Sequence, residues 1–166
     1  MPEGLSERMP DGGELLIRPA LPADAGVIAD FQLRMARETE GVDLDGATLA
    51  RGVAAVFADA GKGAYWVGER DGCIVACLLV TPEWSDWRDG TVLWIQSVYV
   101  VPAERGRGVY RALYERLRRE AAAADGIKGI RLYVDKRNQA AQRVYERLGM
   151  SREHYELFEW MKPSSG

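Results

Sequence analysis

Two closely spaced glycines and six arginines lie in residues 104–120, directly after a long apolar stretch. A strand followed by a glycine turn and a helix N-terminus presents unpaired backbone N–H groups and a positive dipole to an anion. Gly106 and Gly108 would let the main chain approach that anion closely. Arg105 and Arg107 would add charged donors. The pattern predicts a binding site for a small ligand that carries phosphate.

The spacing of the glycines excludes two common phosphate sites. The Gly-Lys-Ser/Thr ending of an ATP-binding loop is missing, and so is the third glycine of the dinucleotide fingerprint. Nucleic-acid binding is also disfavoured, because glutamates interrupt the arginines and the chain carries a net charge of −3. The three arginines past the first helical turns are expected to form a solvated helix face: Arg116, Arg118 and Arg119.

The overall composition is that of an ordinary soluble protein, with 47% apolar and 28% charged residues. No apolar run approaches the roughly 18 residues needed to span a membrane. Cys73 and Cys77 would lie about 13 Å apart along a strand, too far for a disulfide. Both are expected to be buried, and with the single His154 they make a poor metal set. We expect a reduced, cytoplasmic protein without a metal.

The domain organisation follows from hydrophobic periodicity. One domain is expected over residues 14–161, with a flexible arm at residues 1–13 and a loose tail at residues 162–166. The predicted order of elements is β-α-α-β-β-β-α-β-α-β, in which residues 154–162 form the last strand. This order predicts an α/β fold, a mixed sheet with helices on both faces.

Local signals place the elements that surround the glycine segment. Asp71-Gly72 between two β-rich runs predicts a hairpin. The nearly continuous apolar run of residues 91–102 predicts a central strand that is covered on both faces. Asn138 and Gly149 predict the start and the end of a helix. The glycine segment therefore connects a central strand to a helix.

In this strand and glycine segment, the sequence resembles the GNAT superfamily of acyl-CoA-dependent N-acetyltransferases. The family motif Gln/Arg-x-x-Gly-x-Gly/Ala follows a strand that ends in Val-x-Pro, and "VVPAERGRGVYRAL" supplies Val100, Pro102, Arg105 and Gly108. Tyr110 departs from it, since the family has Gly or Ala at that position.

A second motif strengthens the resemblance. The family signature Asn…Tyr-x-x-x-Gly-Phe is matched by Asn138, Tyr145, Gly149 and Met150. The order of elements agrees over residues 14–161, so the resemblance implies the GNAT acyl-CoA N-acyltransferase fold for the whole predicted domain.

The resemblance implies that acetyl-CoA lies across a splayed centre of the sheet. Backbone groups of the central strand would pair with the pantetheine arm, and amides from Arg105 to Arg111 would hold the pyrophosphate. The implied cofactor-binding residues are Val98, Tyr99, Val100, Arg105, Gly106, Arg107, Gly108, Val109, Tyr110, Arg111, Asn138 and Tyr145.

Attack of an amine on a thioester needs an acid, a base and a donor to the carbonyl oxygen. Tyr145 matches the tyrosine that serves as general acid in the family, and the Val98 amide is the expected oxyanion donor. The base stays open between Glu40 and Glu83, with Glu38, Asp43, Asp45 and Asp86 in the same two loops. Gln96 could instead hold a water that takes the proton.

The loops beside the predicted site indicate the class of acceptor. Four carboxylates in residues 38–45 would favour a cationic amine, and Trp84 and Trp87 could form an aromatic wall for it. The residues predicted to contact the acceptor are Glu38, Glu40, Trp84, Trp87 and Gln96.

The sequence therefore predicts an acetyl-CoA-dependent N-acetyltransferase without a metal. Its acceptor would be a primary amine of a small or peptidic, cationic molecule, with no nucleic-acid or membrane partner. A homodimer is compatible with the family. The alternative is a non-catalytic acyl-CoA-binding or regulatory module with the same fold.

Overall fold

The structure, a computed structural model, describes residues 6–7 and 13–163. Six strands and four α-helices lie in that part of the chain. The strands are β1 (Ser6–Glu7), β2 (Leu15–Pro19), β3 (Ala64–Arg70), β4 (Cys73–Ser85), β5 (Gly90–Val100) and β6 (Ile127–Leu132). The helices are α1 (Ala25–Glu40), α2 (Gly46–Ala58), α3 (Val109–Ala123) and α4 (Gln139–Arg147).

The chain divides into two compact units, Met1–Tyr133 and Val134–Gly166, and each is described by itself. The first unit contains all six strands and three of the helices. The second contains α4. The single domain predicted for residues 14–161 stays a prediction.

The sheet of the first unit is mixed, as predicted. Its strands run in the order β1-β2-β3-β4-β5-β6. All neighbours are antiparallel except β5 and β6, which are parallel. The hairpin between β3 and β4 turns at Asp71 and Gly72, whose φ angles of 51° and 77° are those that a two-residue hairpin loop requires.

Helices cover both faces of the sheet. Successive side chains of a strand point to opposite faces, so one strand can contact helices on both sides. On one face, Tyr65 and Val67 of β3 join a buried cluster with Ile28 of α1 and Val53 of α2. On the other face, a Cβ built at Gly68 would lie 3.5 Å from Val109 of α3. The α/β fold predicted from the order of elements is confirmed.

Helix ends follow local chemistry. The Asp45 side chain accepts from the Thr48 N–H (2.8 Å) and begins α2, and Gly41, in a left-handed conformation, ends α1. In the second unit, the Asn138 side chain accepts from the Ala141 N–H (3.0 Å) and begins α4.

Three sequence predictions are wrong. Residues 154–162 form no strand within the described chain. Cys73 is exposed, whereas Cys77 is buried as predicted. Arg116 is only 4% exposed, because its guanidinium lies over the Trp66 ring (5.5 Å) and pairs with Glu120 (2.8 Å). Arg118 and Arg119 are exposed, as predicted.

Part of the predicted terminal arm is ordered as strand. Ser6 and Glu7 pair with Leu16 and Leu15 of β2. Residues 1–5, 8–12 and 164–166 of the predicted arm and tail lie outside the described residues.

Candidate functional site

The candidate site lies on β5, just past the point where its pairing with β6 ends. The pairing of β5 with β6 ends at Ile95 and Leu132. The pairing with β4 shifts register at the next step, since Ile95 lies opposite Val80 and Ser97 opposite Leu79. Gln96 is therefore the extra residue of a β-bulge. Beyond it, β5 is paired on the β4 side alone among the described strands.

The backbone of β5 past the bulge offers hydrogen-bonding groups on its open side. The Val101 N–H donates to the Val75 carbonyl of β4 (2.9 Å). Hydrogen-bonded positions alternate along an antiparallel pair, so Tyr99 also bonds to β4. The N–H and C=O groups of Val98 and Val100 consequently point away from β4. These are the groups that the sequence analysis expected to bind a pantetheine arm.

An open groove of about 660 Å³ borders this edge of β5. Met35, Glu38 and Thr39 of α1 line one side, and residues 98–100, Pro102 and Arg105 line the other. A strand edge whose backbone groups lack a strand partner in the described part of the chain therefore lies along an accessible groove within the first unit.

The glycine segment follows directly and leads into α3. Gly106 and Gly108 have φ angles of 73° and 77°, in the left-handed region that favours glycine. A Cβ at Gly106 would meet nothing within 4 Å, so backbone conformation alone requires the glycine there. The loop and the first turn of α3 present N–H groups of the kind that bind phosphate oxygens.

This donor set fits CoA. The strand edge supplies both donors and acceptors for an extended amide-containing arm, and the loop amides at a helix N-terminus suit a pyrophosphate. Tyr110 is half-buried with its ring centroid 6.4 Å from that of Tyr114. Tyr110, which stands where the family motif has Gly or Ala, therefore packs along α3.

The arginines of the loop take different partners. The Arg105 Nε donates to the Val100 carbonyl (2.8 Å), and its Nη2 pairs with Glu38 of α1 (2.6 Å). Arg107 pairs with Glu104 (2.9 Å). Arg111 pairs with Glu115 one turn along α3 (2.7 Å). Arg105 thus occupies a backbone acceptor that the sequence analysis assigned to the cofactor.

Glu38 connects α1 to the groove. Its carboxylate accepts from Arg105 and from the Tyr99 hydroxyl (3.0 Å). The Arg105 guanidinium, and after it the Tyr99 hydroxyl, holds the pKa of the Glu38 carboxyl below its usual value. Burial, followed by the bond to Glu38, raises the pKa of Tyr99. Glu38 is therefore an anion at neutral pH in the wall of the groove.

Two buried charged side chains beside the glycine loop were not predicted from the sequence. Glu104, at the start of the loop, is 9% exposed, and Arg70, the last residue of β3, is 5% exposed. They are joined at 3.0 Å. Their partnership leaves no local sequence signal, because the two residues are 34 positions apart.

Glu83, a predicted base, belongs to a polar row on β4, β5 and β6. Its carboxylate accepts from the Trp94 indole N–H and from Arg131 (3.0 Å). Thr81, two residues earlier on the same face of β4, accepts from the Gln96 side chain (2.9 Å). The structure therefore brings Glu83 and Gln96 to the same face of the sheet.

The remaining predicted acceptor residues lie at two loops. Trp84, near the end of β4, and Trp87, in the short turn Asp86–Arg88 that follows, are 66% and 91% exposed. Asp86 accepts from the Trp87 N–H (2.9 Å). Glu40, the last residue of α1, is exposed, and the Asp43 carboxylate in the α1–α2 connection pairs with Arg37 (2.6 Å).

The second unit holds the two remaining predicted site residues. Asn138 caps α4 with its side chain, and Tyr145 lies half-buried near the end of that helix. The Tyr145 carbonyl accepts from the Met150 N–H (3.0 Å), and Gly149 has a φ of 85°. The helix ends predicted from Asn138 and Gly149 are confirmed.

Comparison with known proteins decides the family. A family model described as Acetyltransferase (GNAT) family matches residues 32–150. The chain belongs to the GNAT family. The matched range contains the groove, the glycine loop and α4, so the GNAT resemblance seen in the two sequence motifs is confirmed. None of the curated proteins matches this GNAT chain in sequence.

Solved structures share the GNAT fold. A possible acetyltransferase from Clostridium difficile 630 is 39% identical with a TM-score of 0.84, over 90% of this chain and 99% of that one. Aminoglycoside N-acetyltransferase AAC(6')-Iy in complex with CoA is 16% identical with a TM-score of 0.74, over 94% and 100%. Ribosomal-protein-alanine N-acetyltransferase from Brucella melitensis biovar Abortus 2308 is 14% identical with a TM-score of 0.70, over 89% and 99%. The likeness to the last two shows the fold alone.

Within residues 13–163, no helix combines the length and apolar character needed to cross a membrane. No group of three or more His, Cys, Asp and Glu side chains in the described chain is arranged to hold a metal ion.

Proposed function

We propose that this GNAT protein transfers an acetyl group from acetyl-CoA to a primary amine. The observation that carries the proposal is the open backbone edge of β5 at Val98 and Val100, which leads directly into the left-handed glycine loop at Gly106 and Gly108. An extended arm that ends in a pyrophosphate matches this sequence of donors and acceptors.

The donor would bind through backbone groups. Val98 and Val100 would hold the pantetheine arm, and the amides from Arg105 to Arg111 would hold the pyrophosphate. Acetyl-CoA would supply an activated acetyl thioester. The Val98 N–H would donate to the thioester oxygen as negative charge develops on it, which is the task of an oxyanion donor.

The acceptor must lose a proton before it can attack. An amine with a pKa of about 10.4 is neutral in only about one molecule in 2,500 at pH 7. Glu83 is our first candidate for the base, because Trp94 and Arg131 orient its carboxylate beside the Gln96–Thr81 pair. A water molecule would carry the proton to it. Glu40 is the second candidate.

The leaving thiolate must gain a proton. Tyr145 would supply it as general acid, since a hydroxyl with a pKa of about 10 can donate to a developing thiolate and be reprotonated from solvent. The proposal rests on the family match of the Asn138–Met150 segment.

The acceptor is proposed to be small or peptidic and cationic. Residues 38–45 hold four carboxylates, of which Glu38 and Asp43 pair with Arg105 and Arg37. Two negative charges remain in excess at this end of α1 and would attract a cation. Trp87 would supply an exposed aromatic face to the same acceptor. Trp84 follows Glu83 directly in β4, so its side chain points to the opposite face of the sheet.

Calorimetric titration with CoA tests the first half of the proposal. We expect saturable binding of one CoA per chain, with an affinity that falls as salt is added, because phosphate contacts are screened. If millimolar CoA gives no heat, the proposed donor site is wrong.

Thiol release from acetyl-CoA across a panel of primary amines tests the second half. We expect release with cationic amines and a loss of about 10²–10⁴-fold in kcat for Tyr145→Phe, the usual contribution of a general acid. Tyr155→Phe is the matched control, since Tyr155 is 78% exposed. If CoA binds and no amine of the panel releases thiol, the protein is a non-catalytic acyl-CoA-binding module.

A further inference from the structure

Glu104 is a buried carboxylate at the entrance of the glycine loop. It ends the short 3-10 turn Pro102–Glu104, and its side chain is 11% exposed. One oxygen accepts from Arg70 Nε (3.0 Å) and the other from Arg107 Nη1 (2.9 Å). The carboxylate therefore bridges the end of β3 and the loop that we assign to the pyrophosphate.

Arg70 is buried without any role in the proposed chemistry. A strand-end arginine beside an exposed turn would ordinarily extend into water, and a buried charge is costly unless it is paired. Here Nε binds Glu104, and Nη1 donates to the Gly13 carbonyl. Arg70 is thus fixed from two sides, and among the described residues its one ionised partner is Glu104.

The formal charges of Arg70, Glu104 and Arg107 indicate what the second arginine adds to phosphate binding. A carboxylate alone beside Arg107 would cancel the positive charge of that arginine and repel a phosphate. With Arg70 present, the group of Arg70, Glu104 and Arg107 carries one net positive charge. The carboxylate can then orient Arg107 without cancelling the attraction of the loop for an anion.

We propose that Arg70 and Glu104 are positioning residues for the pyrophosphate site. Glu104 holds Arg107 in place within the loop, and Arg70 compensates the charge of Glu104. The inference deepens the proposed function and rests on CoA being the ligand.

The test compares two ligands by calorimetry. CoA carries the pyrophosphate, and pantetheine carries the same arm without any phosphate. For Arg70→Met we expect CoA affinity to fall by about tenfold, the size of one hydrogen bond to a charged group, with pantetheine affinity unchanged. Arg116→Met is the matched control, since Arg116 is equally buried but contacts Trp66 and Glu120. It should leave both affinities unchanged.

A second substitution separates charge compensation from structural support. In Arg70→Met/Glu104→Gln, neither buried charge remains and Arg107 again supplies one net positive charge. The glutamine carbonyl oxygen can still accept from Arg107 and so keep it oriented. We expect CoA affinity to return to within about threefold of wild type, because less than about 1 kcal/mol of the electrostatic loss remains. A purely structural role for Arg70 would leave the double variant as weak as the single one.

These experiments test the role of Arg70 separately from the proposed function. Wild-type protein that binds no CoA overturns both proposals. CoA binding that Arg70→Met leaves unchanged, or an affinity that the double variant does not restore, overturns the role of Arg70 alone. If Arg70→Met does not fold, Arg107→Met serves instead, and we expect the same tenfold loss for CoA alone. An unchanged CoA affinity in that variant contradicts the proposal.

Discussion

Glu38 ties the end of α1 to the glycine loop through a single ion pair. Its carboxylate lies 2.6 Å from Arg105, whose Nε also donates to the Val100 carbonyl. Both contacts hold Arg105 in the groove where a pantetheine arm would pass. Arg105 is therefore a residue for which Glu38 and a phosphate-bearing ligand compete.

Glu38→Gln should consequently tighten CoA binding. The pair is partly exposed, and such pairs contribute about 1 kcal/mol or less, so we expect a gain of about two- to fivefold in affinity. Calorimetry with CoA measures it. Asp43→Asn is the control, because Asp43 pairs with Arg37 in the same connection. Weaker binding by Glu38→Gln would contradict the competition.

The two cysteines should differ in reactivity. Burial raises the pKa of the Cys77 thiol to about 12, so at pH 8 it stays in the protonated, unreactive form. Cys73 is exposed. We expect iodoacetamide to modify Cys73 rapidly in native protein and Cys77 only after unfolding, as read by mass spectrometry. In Cys73→Ser, the native protein should take up no label within the same time; rapid labelling would show that the β4 core opens readily.

Among the elements, β5 decides where a ligand can bind. The parallel pairing with β6 stops at Ile95, and the bulge at Gln96 follows at once. A regular sheet would have satisfied the backbone groups of Val98 and Val100 with another strand. The interruption leaves those groups without a strand partner, and Arg105 occupies one of them, the Val100 carbonyl.

The glycine loop depends on backbone conformation. For Gly106→Ala, an L-residue at a φ of 73° costs about 1–2 kcal/mol, so we expect that loss of stability or a shifted loop with weaker CoA binding. Gly52→Ala lies exposed inside α2 with open space around it, and helix propensity predicts a gain of about 1 kcal/mol. Chemical denaturation and CoA calorimetry measure both variants. Equal effects from the two substitutions would show that the left-handed turn is dispensable.

In the first unit as a whole, one apolar cluster joins α1 and α2 to the sheet. Ile28 is fully buried there among Phe31, Val53, Val67 and Tyr99. The same cluster supports Tyr99, whose backbone lies at the groove. Packing on this face therefore positions the strand edge as well as stabilising the fold.

Ile28→Ala should cost about 2–5 kcal/mol of unfolding free energy, and Ile28→Val about 0.5–1.5 kcal/mol. Urea unfolding measures both changes. Below the unfolding transition, CoA affinity of the valine variant should match wild type. A cost under about 1 kcal/mol for the alanine variant would show that the cluster collapses around the cavity.

Local patterns were sufficient for the elements and for much of the candidate site. The Asp71-Gly72 turn, the Asn138 cap and the glycines before α3 are encoded within a few residues, since each depends on its own φ angle or on a nearby N–H group. The last predicted strand failed for a related reason. Alternation in residues 154–162 shows which side chains would share a face, but a strand also needs a partner that alternation does not specify.

Local motifs and hydrophobic periodicity were enough to predict the fold class and the family, and to propose the segment that would hold a pyrophosphate. The partners of the charged side chains could be seen only in the folded protein. Arg105 meets Glu38 across 67 positions, Arg70 meets Glu104 across 34, and Arg116 is buried over Trp66. Such partnerships depend on how helices and strands are placed against each other, and the charge of a residue carries no information about which distant residue will neutralise it.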